Sequence, residues 1–151
     1  MSQWTHVNGN IRFDYLPISP GLGIIEELKS VFGEIISYDH VGFFGENHES
    51  CPSSNIPCGS EGSIEYDIHE TPRGYDVSVW GDLRDFGDED IKDIIEWFDN
   101  IMRHVFNAPF FVRDALIEVE VEYGKTYILR DWRDEKFDKT YRIDEIESLK
   151  L

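Results

Sequence analysis

The sequence predicts an α+β fold of the ferredoxin-like (βαββαβ) type, an antiparallel sheet with two helices on one face and extra C-terminal strands. Three observations predict it. Residues 63–70, 75–80 and 115–123 alternate apolar and polar side chains with period two, as half-buried strands do. Residues 24–32 and 91–106 repeat apolar side chains at helical spacing instead. The order along the chain is strand, helix, two hairpin strands, helix, strand, which is the split βαβ arrangement.

Each element has a local cause. Residues 4–15 carry Val7, Ile11 and Phe13 around Asn8-Gly9, a pair suited to the positive φ angles of a two-residue turn, so a small hairpin or one bulged strand fits. Ser19 offers an N-cap and Pro20 a first helical residue. Ile24, Ile25, Leu28, Val31 and Phe32 then form the core stripe of a helix that Gly33 caps. Residues 41–62 turn to Gly, Ser, Pro and Asn without any period and read as a long irregular loop.

Ile64, Tyr66 and Ile68 face inward and Glu65, Asp67 and His69 outward, Thr71-Pro72-Arg73-Gly74 reverses the chain, and Tyr75, Val77 and Val79 continue the apolar face. The second helix has the strongest period, with Ile91, Ile94, Ile95, Phe98, Ile101, Met102, Val105 and Phe106 in one stripe and Asp88, Glu89 and Asp90 at its positive end. Trp97 lies beside that stripe and is expected to be partly exposed, and Pro109 ends the helix near Asn107. Ile117, Val119, Val121 and Tyr123 point inward on the next strand, Gly124-Lys125 turns, and residues 126–132 return as a strand. Residues 125–151 form a mixed-charge extension supplying a further strand or a docked segment, and residues 1–151 are expected to make one domain.

The formal net charge is −17, and all of it lies ahead of Lys125, because residues 125–151 carry seven charges of each sign. Such a field repels phosphate backbones and anionic membranes and steers basic partners inward, so direct nucleic-acid binding is not expected. The start of the chain has neither a basic nor an apolar signal region, and no apolar run has the length of a membrane span, so a cytoplasmic location is expected. In that reducing compartment Cys51 and Cys58 are expected as free thiols.

Under this fold the face opposite the helices is acidic. Glu65, Asp67, His69, Asp76, Trp80, Glu118, Glu120 and Glu122, with Asp82 and Asp85 in the turn that follows, form a candidate partner-binding surface; the plain alternative is a solvated sheet face. Arg84 and Arg113 are rare cations on an acidic body and are candidates for holding a nucleotide, the ordinary alternative being ion pairs with Asp82, Asp85 or Asp114. His40, His48, Cys51 and Cys58 could hold zinc, although the cysteine spacing is not that of a zinc knuckle. Ser60-Glu61-Gly62-Ser63 is a weak phosphate loop without a following Lys or helix, and His69 with Asp67 or Glu70 is a candidate base with an orienting carboxylate, although Glu70 points opposite to His69 on a regular strand. No serine elbow, Walker loop or HExxH motif is present, and no cofactor is expected apart from that zinc.

At Trp4-Thr5-His6-Val7-Asn8-Gly9, Gly59-Ser60-Glu61-Gly62-Ser63, residues 77–85 (VSVWGDLRD) and Ile94-Ile95-Glu96-Trp97-Phe98 the chain resembles short uncharacterised proteins encoded in tailed-phage genomes, over residues 4–123. The resemblance brings no catalytic residues. It implies an infected host's cytoplasm and roles such as blocking host defence enzymes. The leading expectation is therefore an acidic binding protein that blocks a basic, nucleic-acid-handling host protein. The others are a sponge for a nucleotide signal, as an oligomer with Arg84 or Arg113 at a subunit boundary, and a small metal-dependent enzyme.

Overall fold

The computed structural model describes residues 3–15, 24–33, 56–104, 110–133 and 139–147. In chain order these form β1 (Trp4–Tyr15), α1 (Ile24–Phe32), β2 (Ile64–Thr71), β3 (Gly74–Arg84), α2 (Ile91–Arg103), β4 (Phe110–Val121), β5 (Lys125–Arg133) and β6 (Lys139–Glu147). The mixed α+β architecture and its antiparallel sheet agree with the sequence expectation. Five strands run in the order β2-β3-β1-β4-β5, every neighbouring pair antiparallel, and β6 adds to the free side of β5. The proposed N-cap at Ser19 and Pro20 and the helical positions Val105, Phe106 and Asn107 lie outside the described residues. Among the described residues no helix is long and apolar enough to cross a membrane.

Both helices pack on one sheet face. Phe32, fully buried at the end of α1, is the hub: its ring centroid lies 6.0 Å from Phe13 of β1, 5.0 Å from Tyr66 of β2 and 5.8 Å from Trp97 of α2. The last carbonyls of a helix have no partner within it and must find one when buried. Two aromatics supply it: Trp97 Nε1 donates to the Phe32 carbonyl at 2.8 Å and the Tyr66 hydroxyl donates to the Gly33 carbonyl at 2.6 Å. This corrects the expectation for Trp97, which is only 3 % exposed. Its position beside the α2 stripe faces the end of α1, and the indole N–H is the reason it fits there. Gly33 does cap α1, with φ of 108° and its N–H donating to the Lys29 carbonyl.

β1 is one long strand, paired on both sides, and Asn8-Gly9 is no turn. A Cβ at Gly9 would lie 2.3 Å from the Leu116 carbonyl oxygen, so glycine here lets β4 approach closely. The bulge falls later, where Arg12 pairs with Asp114 but Phe13 with Val112, leaving Arg113 as the extra residue of β4. Tyr123, expected inward, is 79 % exposed with φ of 60°, because β4 ends at Val121 and Tyr123 belongs to the turn.

Candidate functional site

β1 lies between β3 and β4, so the open face of the sheet can be read as rows across the register. His6 stands opposite Asp82 on β3 and Glu120 on β4; Asn8 opposite Trp80 and Glu118; Asn10 opposite Ser78 and Leu116; Arg12 opposite Asp76 and Asp114. On the outer side of β3, Glu65 pairs with Trp80, Asp67 with Ser78 and His69 with Asp76. The outward alternation of β2, β3 and β4 is thus as the sequence indicates, but the acidic residues are not one field. They form two stripes, one on β2 and β3 and one on β4, separated by the polar lane of β1.

Several of these side chains are fixed by one another. Trp80 Nε1 donates to Glu65 Oε2 at 3.2 Å, and Asn10 Nδ2 donates to Asp76 Oδ1. His69 Nε2 lies 3.5 Å from Asp67 Oδ2, its partner two residues away on the same face. Both groups of that pair are more than half exposed, and a base in catalysis needs a substrate pocket beside it. Glu122 sits in the β4–β5 turn, where Oε1 accepts from the Trp4 N–H at 3.1 Å. Asp85, by contrast, leaves the face: it follows the end of β3 with φ of 56° and accepts a hydrogen bond from the Ser60 hydroxyl at 2.6 Å.

His6 escaped the sequence reading. Its Nδ1 lies 2.5 Å from Asp82 Oδ1 and its Nε2 3.3 Å from Glu122 Oε2, so the imidazole bridges the two stripes at one end. The hydrogen bond to Asp82 is the main cause of a pKa raised above 6.5; partial burial opposes it, and Glu122 adds to it. The only sequence signal was its outward phase on β1, since its partners are 76 and 116 residues away.

The two candidate nucleotide-binding arginines have carboxylate partners, though not the expected ones. Arg84 pairs with Glu61, and Arg113, projected outward by the bulge, lies 3.4 Å from the buried Asp14, which Arg12 also contacts at 3.0 Å. Asp82, Asp85 and Asp114 were the sequence neighbours, but Asp14 is brought in by β1–β4 pairing and Glu61 by a turn docked on β3. That turn also uses its own amides: the Gly59 N–H donates to the Gly62 carbonyl and the Ser60 N–H to the Arg84 carbonyl. It therefore does not offer these two amides to a phosphate.

His40, His48 and Cys51 lie outside the described residues. Cys58 is disulfide-bonded, which corrects the expected free thiol, and Cys51 is the chain's only other cysteine. Compartment arguments concern redox potential, whereas the bond depends on two sulfurs meeting. Zinc at these positions would require the bond to be reduced, since the thiolate is the ligand. Among the described residues no group of three or more His, Cys, Asp or Glu is arranged to hold a metal ion. A groove of about 420 Å³ runs between Ile56–Cys58 and the Asp93, Glu96 and Asn100 side of α2; its described lining presents two carboxylates and an amide.

No family model matches the chain, and no similar protein was found among curated proteins or solved structures.

Proposed function

We propose that the protein is a non-enzymatic binding module whose open sheet face occupies a basic site on a protein that itself handles nucleic acid. One observation carries this reading: Glu65, Asp67, Asp76, Asp82, Asp114, Glu118, Glu120 and Glu122 are gathered on one side of a hydrogen-bonded sheet or at its edge turn. Outward residues two apart on a strand are about 6.7 Å apart, a step comparable to that between successive phosphates of a nucleic-acid strand. A sheet holds that spacing without an ordering cost on binding, and its field accelerates encounter with a basic partner. The resemblance to phage proteins extends the proposal to a host defence enzyme in the host cytoplasm.

The scaffold reading goes with it. The order β2-β3-β1-β4, with helices after β1 and after β3, supports a ferredoxin-like core to which β5 and β6 are additions. Neither the nucleotide sponge nor the metal enzyme gains a specific observation, since Arg84 and Arg113 are paired with carboxylates and Cys58 is bonded.

The test compares the wild type with a Glu65→Gln, Asp67→Asn, Glu118→Gln, Glu120→Gln variant as bait in bacterial lysate. A partner held by the wild type is expected to be lost by the variant and displaced by added duplex DNA. Retention of the same partner by both baits would overturn the reading.

A further inference from the structure

We propose that the occupant of this face is a single basic α-helix lying along β1. The inference rests on the binding reading above and adds the shape of the partner. Neighbouring strands are about 4.8 Å apart, so the carboxylates of β3 and β4, with β1 between them, stand in two stripes about 10 Å apart. An α-helix with its side chains is about 10–12 Å wide, so cations on its two flanks reach both stripes at once. An extended segment lies over one lane and turns alternate side chains away from the sheet, so it engages one stripe.

The floor and walls suit a helix. The centre of the lane presents the uncharged Asn8 and Asn10, where a helix seam needs no counter-charge, and the basic groups at its two ends, His6 and Arg12, are held by Asp82 and Asp14. Trp80 and Leu116 are 41 % and 51 % exposed and stand on opposite sides of that lane, Trp80 beside Asn8 and Leu116 beside Asn10. Their offset along β1 is two residues, about 6.7 Å. Positions i and i+4 of a helix lie on one face about 6.0 Å apart along its axis, so successive seam residues come level first with Trp80 and then with Leu116. From His6 to Arg12 the lane is about 20 Å long, the length of about 13 helical residues. A large exposed aromatic beside a charged rim is the composition of a binding hot spot.

The experiment uses the full-length protein and a designed capped peptide of about 18 residues, long enough to be helical, with lysines on both flanks of a narrow Leu and Gln seam. The control peptide has the same charge and a central proline that breaks the helix. Binding is read by anisotropy of a labelled peptide at low salt. The helical peptide is expected to bind at least about tenfold more tightly than the control, a preference that charge alone cannot produce. Glu118→Gln/Glu120→Gln on β4 and Asp76→Asn/Asp82→Asn on β3 are each expected to weaken it at least about threefold, because the occupant touches both stripes. Equal binding of the two peptides, or loss on only one variant, would overturn the helix while leaving an acidic docking face. Failure of both peptides to bind would overturn the docking reading as well.

Discussion

His6 shows how one residue ties charge to stability. Its imidazole is held between Asp82 and Glu122, and the pKa is raised above 6.5 mainly by the Asp82 hydrogen bond. A raised histidine pKa means that the folded state holds its proton more tightly than the unfolded chain does. The stabilisation is therefore complete below about pH 6.5 and fades as pH rises through the folded-state value. The difference in urea midpoint between wild type and His6→Gln is expected to be largest near pH 6 and to shrink towards pH 9, both rough limits set by this window. A difference independent of pH would show that His6 acts through packing alone. Alternation places His6 on the outward phase of β1, but no local pattern names partners on other strands. Asp14 has the same lesson in reverse: it shares the phase of Arg12 yet is buried, because the bulge brings Arg113 over it.

Among the elements, the junction of α1 with α2 carries the clearest energetic argument. The stripe of α2 buries Ile91, Ile94, Trp97, Phe98 and Ile101, each worth about 1.5–3 kcal/mol relative to exposure. Trp97 adds a hydrogen bond to the terminal carbonyl of α1, in a setting where an unsatisfied buried acceptor costs about 1–3 kcal/mol. Trp97→Phe is expected to lower unfolding stability by roughly that amount, measured by chemical denaturation, whereas Trp80→Phe on the open face is expected to change it by less than about 0.5 kcal/mol. The helical period of residues 91–103 was legible because it is local. The burial of Trp97 was not, since it depends on where α1 ends. In β1, likewise, Asn8-Gly9 has the composition of a turn, but pairing on both sides holds the strand extended and assigns Gly9 to a close approach.

For the whole molecule, the net charge of −17 and the two acidic stripes oppose folding through self-repulsion. Removing carboxylates from the proposed binding face is therefore expected to weaken binding and strengthen the fold. Glu118→Gln/Glu120→Gln is expected to raise the thermal midpoint at low salt, with the gain shrinking at about 0.5 M NaCl, where screening acts within a few ångströms. A variant less stable than wild type at low salt would show that these carboxylates hold the sheet together. The trade between a surface kept for a partner and the stability it opposes is a common one for binding sites.

What the sequence determined by itself was whatever depends on neighbours in the chain: α1 and α2 through their 3.6-residue stripes, β2 to β4 through alternation, the turn at Pro72-Arg73, and the acidity of the outward phase. Tertiary structure alone decided what depends on pairing between distant strands. It placed β1 between the acidic strands, split one expected acidic field into two stripes, paired Arg84 with Glu61 and Arg113 with Asp14, and drew His6 between Asp82 and Glu122. The physical reason is the range of the interactions. Helix and strand periodicity record which face of an element meets the core, while register and strand order are set by packing and hydrogen bonding among segments far apart in the chain.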